Sequence, residues 1–358
     1  GQGMNPSNAP MTPVFGRTAL VDEILSRSEP VIVLDAPAGM GKSRLLSQIG
    51  DRLQVAPHTT SAAPPEGLQA TVLWDLPPGC KEAELPECFV LGQRRIIIAK
   101  RQHTHLSGLA RAVTYRTAIV VDAEALLISQ NEAIDFFGAD KAADRLGQSG
   151  GWPLLACQPE PFVAMEDFLL QEVLSDLDDA ELVDLKLLIG GLALPVRQRG
   201  HLFPLARVSP DGKLRFAVEA LADVLQRAVD LTIRQRIMTP AGAKAIAETY
   251  AEHGRIMDAI ITFQSAGFND NALTLFNQAG GLFFIYYQGP TAFDVALAGF
   301  PPSYAYQSEI IVLSLALQAL KRGDISRARR LLVDRFGDLA NDIGSVFASR
   351  TLFSREFR

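Results

Sequence analysis

Lys42 and Ser43 follow two closely spaced glycines, Gly39 and Gly41, in the run Val31-Ile32-Val33-Leu34-Asp35-Ala36-Pro37-Ala38-Gly39-Met40-Gly41-Lys42-Ser43-Arg44-Leu45-Leu46. Residues of these types in this order can grip a polyphosphate. Glycines let the backbone curl until successive N–H groups face one anion. A helix starting after them adds its positive end. The ammonium of Lys42 would reach the β- and γ-phosphates, and the hydroxyl of Ser43 would hold Mg²⁺. The run fits G-x-x-x-x-G-K-[ST], with Ala36 in the first glycine position. Two further residues stand where such chemistry would use them. Asp75 closes the apolar stretch Ala70-Thr71-Val72-Leu73-Trp74, where a carboxylate can hold the Mg²⁺ shell; the plainer reading is an ordinary acid at a strand end. Arg101 follows Arg95-Ile96-Ile97-Ile98-Ala99-Lys100. Its planar, permanently charged fork suits a γ-phosphate at the carboxyl end of a parallel strand, against a solvated loop charge.

Positioning these groups requires strands that end near one another. Val31–Leu34, Ala70–Asp75, Arg95–Ala99 and Thr117–Val121 are apolar enough for buried parallel strands, and helices are expected between them, so the first part predicts a parallel α/β domain. A helix is expected over Thr18–Ser26 with Thr18 as N-cap, and another from Lys42 to Leu53. Residues 56–70, rich in Pro and Ala, read as irregular. From Ser129 the pattern becomes helical, with a break at Gly138 and a turn at Gly150-Gly151-Trp152-Pro153 opening a short helix. Residues 165–190 read as amphipathic helix, with Leu169, Leu170, Val173, Leu174 and Leu177 at helical spacing. Val208–Phe216, centred on Ser209-Pro210-Asp211-Gly212, predicts a β-hairpin, and a helix Val218–Leu231 follows, which together suggest a small winged-helix-like module.

From Thr239 onward only helices are expected. A glycine turn followed five positions later by alanine recurs at Gly254/Ala259, Gly267/Ala272 and Gly323/Ala328. The first and last are spaced close to two tetratricopeptide periods of about 34 residues, which predicts an array of helical hairpins rather than a plain bundle. The expected divisions are 1–13, a tag and flexible lead-in containing the cloning remnant Gly1-Gln2-Gly3; 14–126, the nucleotide-binding domain; 127–165, a helical lid; 166–236, the winged module; and 237–358, the repeats.

Composition bounds the rest. The 358 residues are 48% apolar and 21% charged, with net charge -6, and the pI is near 5.5. That balance lacks the basic footprint of a nucleic-acid-binding domain. Three cysteines, Cys80, Cys88 and Cys157, have no zinc-site spacing and suit a reducing, cytoplasmic setting. No apolar run reaches bilayer length, so no membrane partner is expected. His103-x-His105 lacks further ligands nearby and reads as loop. Phe283-Phe284-Ile285-Tyr286-Tyr287 reads as inter-helix core, and Arg327-Ala328-Arg329-Arg330 as a solvated helix face.

From Val14 to Phe336 the order of these pieces resembles the STAND class of signal-transducing P-loop ATPases, and within it the MalT-like, LuxR-type transcription regulators. Phe15-Gly16-Arg17 resembles the family's opening motif, whose backbone borders adenine. Ala36-Pro37-Ala38-Gly39-Met40-Gly41-Lys42-Ser43 is similar to its phosphate loop, Ile98-Ala99-Lys100-Arg101 to the strand whose arginine senses the γ-phosphate, and Gly151-Trp152-Pro153 to the G-x-P motif whose proline packs on adenine. Residues 316–332, with Arg322-Gly323-Asp324 and Ala328-Arg329-Arg330-Leu331-Leu332, resemble its helical repeats. The resemblance implies an α/β P-loop NTPase domain followed by helical, winged-helix-like and TPR-like domains. It implies ATP or ADP with Mg²⁺ on Phe15, Arg17, Ala38, Gly39, Met40, Gly41, Lys42, Ser43, Arg44 and Pro153, with Lys42, Asp75 and Arg101 as the catalytic residues and Ser43 and Asp75 holding the metal. It also implies self-association in the ATP state and an effector ligand or protein on the C-terminal helices.

Three departures temper these implications. The family usually carries two acids at the end of the second-motif strand, whereas Asp75 is followed by Leu76. With no second acid to orient the attacking water, hydrolysis is expected to be slow. Ala217 stands where the winged module often presents a histidine. No basic helix pair closes the sequence, so DNA would be reached only through a module not in this chain, or through a partner. Beside the regulatory switch stand two other expectations, a helical-repeat adaptor with a structural, non-hydrolysing nucleotide and a small-molecule P-loop kinase.

Overall fold

The computed structural model describes residues 15–64, 67, 69–157, 165–196 and 202–337. Val14, the lead-in and the expected repeat residues beyond 337 lie outside the described residues. The chain divides into two compact units, one up to Asp230 and one from Leu231.

The first unit opens with α1 (Thr18–Ser26), β1 (Val31–Asp35), α2 (Lys42–Leu53), β2 (His58–Thr59) and β3 (Thr71–Asp75). There follow β4 (Glu82–Glu84), α3 (Glu87–Val90), β5 (Arg95–Lys100), β6 (His105–Ser107), α4 (Leu109–Thr114) and β7 (Ala118–Val121). A five-stranded parallel sheet has the order β2-β3-β5-β1-β7. Val31, Ile32, Val33 and Leu34 are wholly buried, because both faces of a parallel sheet are covered. Val31, Val33, Val72, Trp74, Ile96 and Ile98 pack on one face with Phe89, Val90, Leu106 and Ala112. On the other face α2 lies against β3 and β5, and its Leu45, Leu46 and Ile49 are buried. The four expected strands are present. The fifth, β2, falls in the stretch read as irregular; two residues paired to the sheet edge leave no periodicity to read.

Helices α5 (Gln130–Phe137), α6 (Ala139–Ser149) and α7 (Pro153–Ala156) follow, broken at Gly138 as expected. Ser129 caps α5 in a capping box with Glu132. Residues 165–190 are not one helix. They comprise α8 (Met165–Phe168), a π turn Leu169–Val173, a 3₁₀ turn Leu174–Asp176 and α9 (Asp179–Ile189). Asp178 starts α9 with its own capping box to Glu181, and this local bond overrides the leucine spacing. Arg17, not Thr18, is the N-cap of α1; Thr18 is the first helical residue. Then come β8 (Leu194–Pro195), β9 (Ala206–Val208), β10 (Lys213–Phe216) and α10 (Ala222–Arg236). β9 and β10 are the expected hairpin, and β8 joins them in an antiparallel sheet ordered β8-β10-β9. Helix α10 begins later and ends later than expected, after a 3₁₀ turn at Glu219–Leu221.

The second unit is helical: α11 (Pro240–Glu252), α12 (Ile256–Ser265), α13 (Asn269–Gln278), α14 (Phe284–Gln288), α15 (Pro290–Ala298), α16 (Pro302–Ala305), α17 (Glu309–Lys321) and α18 (Ile325–Phe336). Consecutive helices pack as α11/α12, α12/α13 and α17/α18. Gly254, Gly267 and Gly323 make the turns with positive φ, and Ala259, Ala272 and Ala328 are fully buried where the paired helices meet. Of the aromatic run at 283–287, only Phe284 is core. It stacks on Phe276 at 4.7 Å, whereas Phe283, Tyr286 and Tyr287 are exposed. No helix among the described residues is long and apolar enough to cross a membrane.

Candidate functional site

The carboxyl ends of β1, β3 and β5 converge on a cavity of about 360 Å³ within the first unit. The loop between β1 and α2 forms its floor. Gly41 has φ 77° and caps α2 in the left-handed region, which an L side chain adopts only with strain. Gly39, also at positive φ, has a second constraint: a Cβ there would lie 2.7 Å from Nε1 of Trp152. The amide of Leu154 donates to the carbonyl of Gly39 at 3.1 Å, so the Gly151-Trp152-Pro153 turn is fastened to the loop. Trp152 is wedged behind it, 1% exposed, its indole N–H buried without a partner.

The polar side chains of Lys42, Ser43, Arg44, Thr59, Asp75 and Arg101 are part of the cavity lining. The ammonium of Lys42 donates to the carbonyls of Ala36 (2.5 Å) and Pro37 (2.9 Å), so it lies inside the loop that would wrap an anion. Burial, and then the positive charge of Arg101, lower its pKa to about 8 against the pull of Asp75, Asp35 and Asp176. Arg101 spans from the end of β5 to Glu172 (2.6 Å) and Asp176 (3.4 Å). Beside it, Asp35 and Lys100, opposite each other in the β1/β5 register, pair at 3.1 Å. Ser43 and Asp75 supply a hydroxyl and a carboxylate, the hard oxygen donors that suit Mg²⁺ with water completing its shell. Among the described residues no group of three or more His, Cys, Asp and Glu forms a metal cluster.

The lining also includes the apolar side chains of Phe15, Leu45, Ile128, Pro153 and Leu154, and Cys157. Phe15 packs its ring on Phe136 and Phe137 at 4.2 and 5.3 Å. Burial raises the Cys157 thiol to about 11, despite the nearby charges of Arg44, Arg17 and Arg145. The opening segment is pinned by Gln48, which accepts from the Arg17 amide (3.0 Å) and donates to the Phe15 carbonyl (2.8 Å). The Arg17 side chain is a clamp. It donates to the carbonyls of Leu126 (2.6 Å) and Leu127 (2.9 Å) and forks onto Glu132 at 2.9 and 3.0 Å.

The expected residues Phe15, Arg17, Ala38, Gly39, Gly41, Lys42, Ser43, Arg44, Asp75, Arg101 and Pro153 therefore line one cavity. Met40 does not line it; its side chain is 1% exposed and joins the core. Ala217 lies beside the Gly150 turn, outside the cavity lining. Leu76 is 5% exposed and packs with Trp74 and Ala83, so the position after Asp75 belongs to the core, although it touches the cavity wall. Gln48, Thr59, Glu132, Glu172 and Asp176 are missed by sequence reasoning. The capping-box spacing Ser129–Glu132 was the one signal among them, and it speaks for a helix start, not for a partner of Arg17.

Fold and cavity define a protein with a parallel α/β domain, in which a strand, a glycine loop and a helix form the floor of the site, followed by helical elements. No protein-family model and no curated protein matches the chain.

Proposed function

We propose that the chain is a nucleotide-dependent switch, the sensor part of a MalT-like regulator of the STAND class. In this reading the first domain is of the P-loop NTPase kind, the three-stranded sheet with its helices is winged-helix-like, and the helical hairpins are TPR-like. ATP or ADP is the ligand, with Mg²⁺ on Ser43 and Asp75. One observation carries it: a single cavity is lined by Lys42, Ser43, Asp75 and Arg101 together with the apolar side chains of Phe15, Leu45 and Pro153. A polyphosphate joined to an aromatic base calls for both kinds of lining. The triphosphate favours a self-associating state and the diphosphate a closed monomer. An effector on the C-terminal helices biases the same equilibrium, by no more than its differential affinity for the two states.

Titration calorimetry with ADP and ATP tests the site. Lys42→Ala abolishes binding while circular dichroism retains the helical signal; unchanged affinity in that variant rejects the reading. Mass spectrometry of small molecules released on heat denaturation identifies the nucleotide bound at rest.

The buried position of Leu76 favours a second reading, an adaptor whose nucleotide is structural and not hydrolysed. A phosphate-release assay separates the two: slow turnover supports the switch, and a tightly held nucleotide with no turnover supports the adaptor.

A further inference from the structure

We propose that Glu172 and Asp176 set the preference of the site between a nucleoside diphosphate and a triphosphate, by competing with a terminal phosphate for Arg101. The proposal rests on the nucleotide reading above and extends it to two residues with no part in that reading. Arg101 stands on the wall of the cavity with only 17% of its side chain exposed. One terminal nitrogen donates to Glu172 Oε2 at 2.6 Å, and the other approaches Asp176 Oδ2 at 3.4 Å and the Glu172 carbonyl at 3.5 Å. Both faces of the fork are thus taken by acceptors of the kind a phosphate would offer. Asp176 also acts on Lys42 across the site. The two acids are about two-thirds or more buried, which makes their pairing stronger than a solvated surface contact.

The backbone that presents them is irregular. Glu172 lies in the π turn and Asp176 ends the 3₁₀ turn, immediately before the Asp178 cap of α9. Insertions of this kind concentrate at functional sites. A diphosphate can be held by the loop and Lys42 with the Arg101 pairs intact. A triphosphate gains Arg101 only by taking it from two carboxylates, and those carboxylates then repel it. The same exchange frees the 169–176 segment from the end of β5, so occupancy of the γ position is felt at α9.

Calorimetry with Mg²⁺ and either ADP or a non-hydrolysable ATP analogue tests this on the full chain. In Glu172→Gln/Asp176→Asn the ratio of triphosphate to diphosphate affinity rises at least about fivefold, within the usual range of coupling between sites. In Arg101→Ala the ratio of triphosphate to diphosphate affinity falls. A ratio that does not move in the double variant overturns the proposal while leaving nucleotide binding intact. If the unmodified chain binds neither ligand, the nucleotide reading falls and this proposal with it. Should the double variant fail to fold, Glu172→Gln and Asp176→Asn alone decide, with the same directions at smaller size.

Discussion

Gly39 and Trp152 are in contact across the floor of the cavity, so close that any side chain at position 39 would overlap the indole. The glycine therefore serves two needs, a left-handed turn and room for the ring behind it. Gly39→Ala is expected to lower stability by about 2 kcal/mol from the left-handed conformation alone, and more from the displaced ring, read as a fall in thermal midpoint. The chain has two tryptophans, so Trp74→Phe leaves Trp152 as the sole indole fluorophore. Its emission is expected to change when ADP is added and to remain constant in the Lys42→Ala background.

Lys42 makes the site sensitive to alkaline pH. With its pKa lowered to about 8, the ammonium is largely charged at pH 7 and largely neutral at pH 9. Affinity for inorganic tripolyphosphate is expected to fall above pH 8, approaching tenfold per unit, and Lys42→Arg is expected to remove that fall because a guanidinium stays charged. The linkage to folding runs the other way. Between about 8 and the ordinary lysine value the unfolded chain binds more protons than the folded one, so this residue makes the empty protein more stable as pH rises through that window. Calorimetry and urea titrations from pH 7 to 10 check both.

Arg17 and Glu132 hold the opening segment to the start of α5. Both side chains are at most 16% exposed. Glu132→Gln leaves the guanidinium short of a charge partner, and Arg17→Ala leaves both Glu132 and the Leu126 and Leu127 carbonyls without their donor. Each is expected to cost about 3 kcal/mol. Burial raises the Glu132 pKa, but hydrogen bonds from Arg17 and from the Ser129 backbone outweigh it, and the net shift is downward. A lowered carboxylate contributes stability above its unfolded value that is lost as pH falls through its folded value. The acid limb of the stability profile is expected to flatten in Glu132→Gln.

Ala259 and Ala328 test the close packing of the helical hairpins. Each is fully buried where consecutive helices meet. Ala259→Leu and Ala328→Leu are expected to destabilise the second unit by about 1–3 kcal/mol through overpacking. Exposed Ser265 and Ser326 changed to Leu are expected to stay within about 0.5 kcal/mol. Hydrogen exchange at α12 and α18 reports the difference.

Local chemistry along the chain accounts for most of the regular elements. Unbroken apolar runs make buried parallel strands, two glycines before Lys42 demand a tight turn into a helix, and a glycine with a later alanine makes a close helical hairpin. These follow from covalent geometry and periodicity within about a dozen residues. Even there, a nearer bond could win: Asp178 and Glu181 started a new helix inside a stretch whose leucines implied continuity. The partner of each charge is settled by the packing of distant segments. Arg17 meets Glu132 and Arg101 meets Glu172 across long separations in sequence, and Asp35 meets Lys100 through strand register. Leu76 took a core position that a motif would have given to an acid. Long-range pairing depends on which surfaces the folded elements bring together and shield from water, and that has no signature in the spacing of residues along the chain.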